Sequence, residues 1–174
     1  IHTLARKILV QLSKKGNPTV DWNTNHSFFD AGSNSIWVLK HYEQQRGSLE
    51  QIFPDGKIQY YSWPCYRKNV NHPRHDAEDM VYDPKRNAIW INSGDGLLEF
   101  SLNDKQFRPV NALNELIKSK DYDRYVGIDI DRQGRIWFAS YPNNILIYDP
   151  ETGQVRKPLS DTSLQKLAGE YNLR

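Results

Sequence analysis

The sequence predicts an all-β chain: a partial β-propeller of about three and a half four-stranded antiparallel blades, with a short helix in one connection between blades. Three observations carry the prediction. Aromatic residues make up 12% of the chain, with 10 Tyr, 6 Phe and 5 Trp against a single Met, a bias that favours strands over helices. A phrase of Asp, polar turn and apolar-Trp-apolar strand recurs three times, its tryptophans Trp37, Trp90 and Trp137 spaced by about 50 residues. Each copy is followed by a strand, a tight turn and another strand, so every unit holds four short strands, labelled a to d, which is the grammar of propeller blades.

The elements follow in order. Residues 1–23 read as strands c and d of a preceding blade, on the pattern of 8–20 (ILVQLSKKGNPTV), so the chain opens in mid-repeat. The first full unit, 26–63, joins DAGSNSIWV (30–38) to LEQIFPDGKIQYY (49–61). The second, 78–110, joins DPKRNAIWI (83–91) to LLEFSLNDKQFRPV (97–110), with strands expected at 79–83, 88–92, 97–102 and 106–110. The third, 125–160, joins DRQGRIWF (131–138) to ILIYDPETGQVRKPL (145–159), with strands expected at 126–131, 135–140, 145–148 and 154–157. The a-to-b and c-to-d connections are far too short for the crossover that parallel strands need. Between the second and third units, NALNELIK (111–118) sets Leu113, Leu116 and Ile117 on one helical face behind Asn111 as N-cap. Residues 161–174 resemble that connection and lead towards a next blade.

Charge and cysteine content narrow the function classes. The 23 Lys and Arg are interspersed with 21 Asp and Glu for a net charge of +2, leaving no basic block to neutralise a run of phosphates, so no nucleic-acid partner is expected. Cys65 is the lone cysteine, which excludes an internal disulfide, and no Cys/His zinc spacing exists, so neither metal nor cofactor is expected. No apolar run approaches the roughly 20 residues that cross a bilayer, so membrane attachment would come only through parts of a parent chain outside this sequence. An isolated arc of blades leaves strand edges open, and the rest of its own propeller or a second chain is expected to cover them.

The stretch 131–150 (DRQGRIWFASYPNNILIYDP), continued by Glu151-Thr152-Gly153, resembles the two-component-regulator propeller repeat, found in periplasmic sensor domains of hybrid two-component systems in gut Bacteroidetes. The middle copy, IWINSGDGLLEF (89–100), keeps Ser93, Gly94 and Gly96 of that pattern. The first copy departs from it, with Lys40-His41 at the small strand end and an insertion at 42–47, and Lys105 stands where the other copies have Gly56 and Gly153. The resemblance implies a periplasmic, non-enzymatic ligand sensor, often for an oligosaccharide, belonging to an inner-membrane protein that signals to a histidine kinase elsewhere in its chain.

Alternating strand direction puts the d-to-a and b-to-c connections on one edge of every blade, and the minimal turns (Pro54-Asp55-Gly56, Asn103-Asp104, Glu151-Thr152-Gly153) on the other. The long connections 64–77 and 110–124 and the insertion 42–47 all fall on the first edge, where binding is expected. Its candidates are Tyr66, Arg67, His72, Arg74, His75 and Asp76 from one connection, Tyr122, Arg124 and Tyr125 with Asp123 from the next, and Asp95, Tyr141 and Asn143 with Ser93 and Asn144 from the b-to-c turns. Aromatic faces beside amide, carboxylate and guanidinium groups suit a small polar or glycan ligand. A lyase-type propeller enzyme using a His, an acid and a metal, and a protein-interaction scaffold, stay open as alternatives. His72 and His75 flank Pro73, which breaks a helical metal face, and no Ser/His/Asp or Cys/His set can be assembled, so no catalytic residue is assigned. Trp37, Trp90 and Trp137 read as blade packing, and Asp30, Asp83 and Asp131 as turn formers, because each recurs at the same place in every unit.

Overall fold

The structure, a computed structural model, describes residues 26–42, 45–63, 77–93, 96–111, 124–141 and 144–157. These hold three four-stranded sheets, each antiparallel and each in chain order across the sheet. The first comprises β1 (His26–Asp30), β2 (Ser35–Tyr42), β3 (Gln45–Ile52) and β4 (Ile58–Ser62); the second β5 (Ala77–Asp83), β6 (Ala88–Ser93), β7 (Gly96–Ser101) and β8 (Phe107–Pro109); the third β9 (Arg124–Ile130), β10 (Ile136–Tyr141), β11 (Asn144–Asp149) and β12 (Gln154–Arg156). The strands expected in the second and third units are present, with ends moved by no more than two residues. The half unit at 1–23, the helix at 111–118 beyond its first residue, and the spacer at 161–174 lie outside the described residues.

One expectation is corrected. The insertion at 42–47 is not a long loop, because β2 runs on to Tyr42 and β3 starts at Gln45. The added residues keep pairing, Lys40 with Ser48 and Tyr42 with Gln45 across a register shift, so they lengthen a hairpin.

Each a-to-b turn is built from the same parts. The Asp that ends the first strand accepts from the backbone N–H two residues on: Gly32 to Asp30 at 2.9 Å, Lys85 to Asp83 at 3.0 Å, Gln133 to Asp131 at 2.9 Å. Three residues before each tryptophan the backbone turns left-handed, and the positions are filled by Asn34 (φ 49), Asn87 (φ 51) and Gly134 (φ 79), residue types that tolerate this region. In the c-to-d turns Gly56 (φ 88) and Gly153 (φ 69) do the same, and Lys105 (φ 59) is forced into it. The Lys105 ammonium lies 4.8 Å from the Trp37 ring centroid in the neighbouring sheet, a cation–π contact that offsets the backbone strain.

Period-two alternation decides which face each residue buries. In the first sheet Trp37, Leu39 and Leu49 pack with Met80, Ile89, Ile91, Leu98 and Phe100 of the second. From the opposite face of the second sheet, Trp90 and Leu97 pack with Ile136, Phe138 and Leu146 of the third. Ile36, Val38 and Ile52 form a separate cluster on the far face of the first sheet, beside the buried Lys40–Glu50 ion pair at 3.3 Å. Thus Trp37 points towards the second sheet and Trp90 towards the third, and both are buried; Trp137, at the same place in its unit, lies on the outer face of the third sheet and is only partly buried.

Contact between sheets is concentrated on their first two strands, β1 and β2 against β5, then β5 and β6 against β9. The gap widens outward, where aromatic rings fill it: Trp37, Tyr61, Phe100 and Phe107 form a connected cluster, and Trp63 meets Phe107 at 5.5 Å. Sheets that converge at strand a and diverge at strand d form a fan. The fold is a β-propeller arc.

Candidate functional site

The edge bearing the d-to-a and b-to-c connections is formed by the starts of β1, β5 and β9 and the facing ends of the b and c strands. A register shift lies near this end of every sheet, between Lys40 and Tyr42, between Ala77 and Asp79, and between Ala139 and Ser140. Such bulges bend a strand end and re-aim its side chains, and they are common beside functional sites.

Asp79 joins all three sheets at this edge. Its Oδ1 lies 2.7 Å from His26 Nδ1 in β1 and accepts the Met80 N–H at 2.7 Å, while Oδ2 accepts the Ile128 N–H of β9 at 3.2 Å. Gly127 of β9 lies beside this carboxylate, where a Cβ would meet Asp79 Oδ2 at 3.7 Å, an ordinary contact. Burial pushes the Asp79 carboxyl up, but the hydrogen bond and charge of His26 and the two backbone donors outweigh it, so the group sits below the ordinary 3.8. Directly across from Asp79, Asn92 of β6 is fully buried, and among the described residues neither atom of its amide has a hydrogen-bond partner. Beside it, Ser93 donates to the Gly96 carbonyl at 2.9 Å and closes the base of the b-to-c turn.

Of the residues expected from sequence, the structure brings Arg124, Tyr125 and Tyr141 to one place: Tyr141 pairs with Arg124, and Tyr125 with Ser140, at the free end of the third sheet. Tyr66, Arg67, His72, Arg74, His75, Asp76, Asp95, Tyr122 and Asn143 lie outside the described residues. Among the described residues no group of three His, Cys, Asp or Glu side chains is placed to hold a metal ion. His26, Asp79 and Asn92 were not singled out from sequence. Asn92 did carry a signal, being two residues past Trp90, where the first and third units have Leu39 and Ala139.

The opposite edge is scaffold. There Arg86 donates to Asp83 at 2.8 Å and to the Gly134 carbonyl at 3.0 Å, and with Lys85 it pairs with Glu151, tying the second sheet to the third.

Neither a protein-family model nor a curated protein matches the sequence. Solved structures do. The extracellular domain of the one-component system BT4673 of Bacteroides thetaiotaomicron is similar at 14% identity over 85% of this chain, with a TM-score of 0.56. That of the hybrid two-component system BT3049 from the same organism is similar at 18% identity over 75%, with a TM-score of 0.55. PorZ, a surface component of the type-IX secretion system of Porphyromonas gingivalis, is similar at 15% identity over 81%, with a TM-score of 0.54. The likeness is one of fold. This chain spans 18%, 17% and 20% of those three chains.

Proposed function

We propose that this chain is a ligand-sensing, extracytoplasmic propeller segment of a membrane-anchored sensor of the hybrid two-component type, placed in the periplasm, which binds a polar ligand such as an oligosaccharide and performs no catalysis itself. One observation carries the reading: the chain folds like parts of the extracellular domains of two Bacteroides thetaiotaomicron signalling systems, over three quarters or more of its length. The contrast between its edges supports it. Minimal turns and the pairing of Lys85 and Arg86 with Glu151 occupy one, and long connections rich in Tyr, Arg, His and Asn the other. Tyr66, Arg67, His72, Arg74, His75, Asp76, Asp95, Tyr122, Arg124, Tyr125, Tyr141 and Asn143 are proposed to face the ligand there. The test is a thermal-shift screen of the full-length protein against cellobiose, lactose, N,N′-diacetylchitobiose and digalacturonate together with longer glycans of each class. A rise in melting temperature with one class is expected; a flat response across the whole panel sinks the glycan reading.

The likeness to PorZ favours a second reading, a surface scaffold that docks a partner protein. Light scattering and co-purification of the full-length protein decide between them. A stable stoichiometric partner, with no response to glycans, selects the scaffold.

A further inference from the structure

Asn92 stands at a position that the repeat otherwise fills with apolar residues. Its counterpart Leu39 belongs to the core between the first and second sheets, and Ala139 holds the place in the third. Asn92 lies on the same face as Trp90, and its cross-strand partner Leu97 belongs to the cluster packed against the third sheet, so the amide faces the seam between the second and third blades. Burial there is complete, at 0% exposure, yet both Nδ2 and Oδ1 lack a partner among the described residues. The other buried amide behaves as buried amides normally do: Gln51 donates to Ser35 Oγ at 2.9 Å and accepts from Tyr61 at 3.3 Å.

Trp37 and Trp63 also bury an unbonded N–H, but each brings a large apolar ring to the core that compensates. Asn92 brings nothing except the amide, which lowers stability when unpaired and which a leucine would replace without that penalty. An amide retained at such a site is explained by a partner that is present only part of the time. Its surroundings fit one, because Asp79 of β5 is its cross-strand partner, with a register shift just before it.

We propose that Asn92 reads the ligand: its amide donates to and accepts from a hydroxyl or acetamido group of a sugar seated at the seam between the second and third blades, beside Asp79. This rests on the sensing function proposed above and adds the position and the recognising group. The test measures binding of the same four disaccharides to full-length wild-type, Asn92→Leu and Asn92→Ala proteins by calorimetry, with melting temperatures in parallel. The disaccharide that binds wild type is expected to bind both variants at least about tenfold more weakly, while Asn92→Leu without sugar melts no lower than wild type. If both variants bind within about twofold of wild type, Asn92 is not the reader and the sensing function stands. Melting temperatures about 5 °C lower for both show that the fold itself uses the amide, which equally overturns the proposal. If no disaccharide or longer glycan binds wild type, the glycan-sensing function fails and this assignment with it.

Discussion

Trp137 donates its indole N–H to Asp131 Oδ2 at 2.9 Å, and Trp90 makes the same contact with Asp83 Oδ2 at 3.3 Å. The repeated Asp therefore does two jobs, shaping the turn with one oxygen and orienting the tryptophan that fills the next seam with the other. The first blade is looser. The Trp37 indole helps hold the Asp30 carboxyl below its ordinary value, but Trp37 Nε1 makes no hydrogen bond of normal geometry.

Asp83 is the most deeply buried of the three, and it accepts from Lys85 N, Arg86 N, Arg86 Nη1 and Trp90 Nε1. Asp83→Ala strands a buried indole N–H and removes one of the Arg86 guanidinium's partners, leaving it the Gly134 carbonyl and Glu151, and is expected to cost about 3 kcal/mol. Asp30→Ala, whose bonds lie at the surface, should cost about 1 kcal/mol. Urea denaturation of the two variants gives the comparison, and equal losses would show that burial of the carboxylate does not set its contribution.

Acid should loosen the seams before it breaks the strands. At Asp30, Asp79 and Asp131 burial raises the carboxyl, but hydrogen bonds to the charged form outweigh it, and all three sit below the ordinary 3.8. These groups hold their protons less tightly folded than unfolded, so the stability they contribute is complete above that value. It is lost as pH falls through the lower folded values. The denaturation midpoint of wild type is expected to drop between about pH 4 and pH 2, and an Asp79→Asn, Asp131→Asn double variant to start lower and lose less over that interval.

The strand grammar, the Asp turns and the packing role of the repeated tryptophans were legible in the sequence, because each rests on a local pattern repeated three times. What was not legible depends on contacts between units. Asp79 looks like an ordinary strand residue until β1 and β9 are set beside it. The extra residues at 42–47 read as a loop because their pairing partners are each other, across a hairpin that no periodicity marks. The candidate ligand residues were read from loop length and side-chain chemistry; Arg124, Tyr125 and Tyr141 fall within the described residues, on the paired β9 and β10, and the others lie outside them.

Lys105 separates backbone strain from side-chain contact. Lys105→Ala keeps the left-handed backbone and loses the Trp37 contact, and is expected to destabilise by about 1 kcal/mol. Lys105→Gly loses the contact but relieves strain of about 1 kcal/mol, so it should match wild type. Thermal denaturation of the pair checks this, and a glycine variant less stable than the alanine one would contradict it.

The account depends on the repeating units being neighbouring blades stacked face to face, and Phe28 of β1 against Tyr82 of β5 reports on that stacking, with ring centroids 4.7 Å apart and planes 12° from parallel. The direct measurement is cross-linking of a Phe28→Cys, Tyr82→Cys protein in a Cys65→Ser background with a short bifunctional thiol reagent. Stacked blades predict rapid linkage within one chain, independent of protein concentration and abolished in urea. Linkage that forms only between chains, or not at all in the folded protein, would contradict the propeller arrangement.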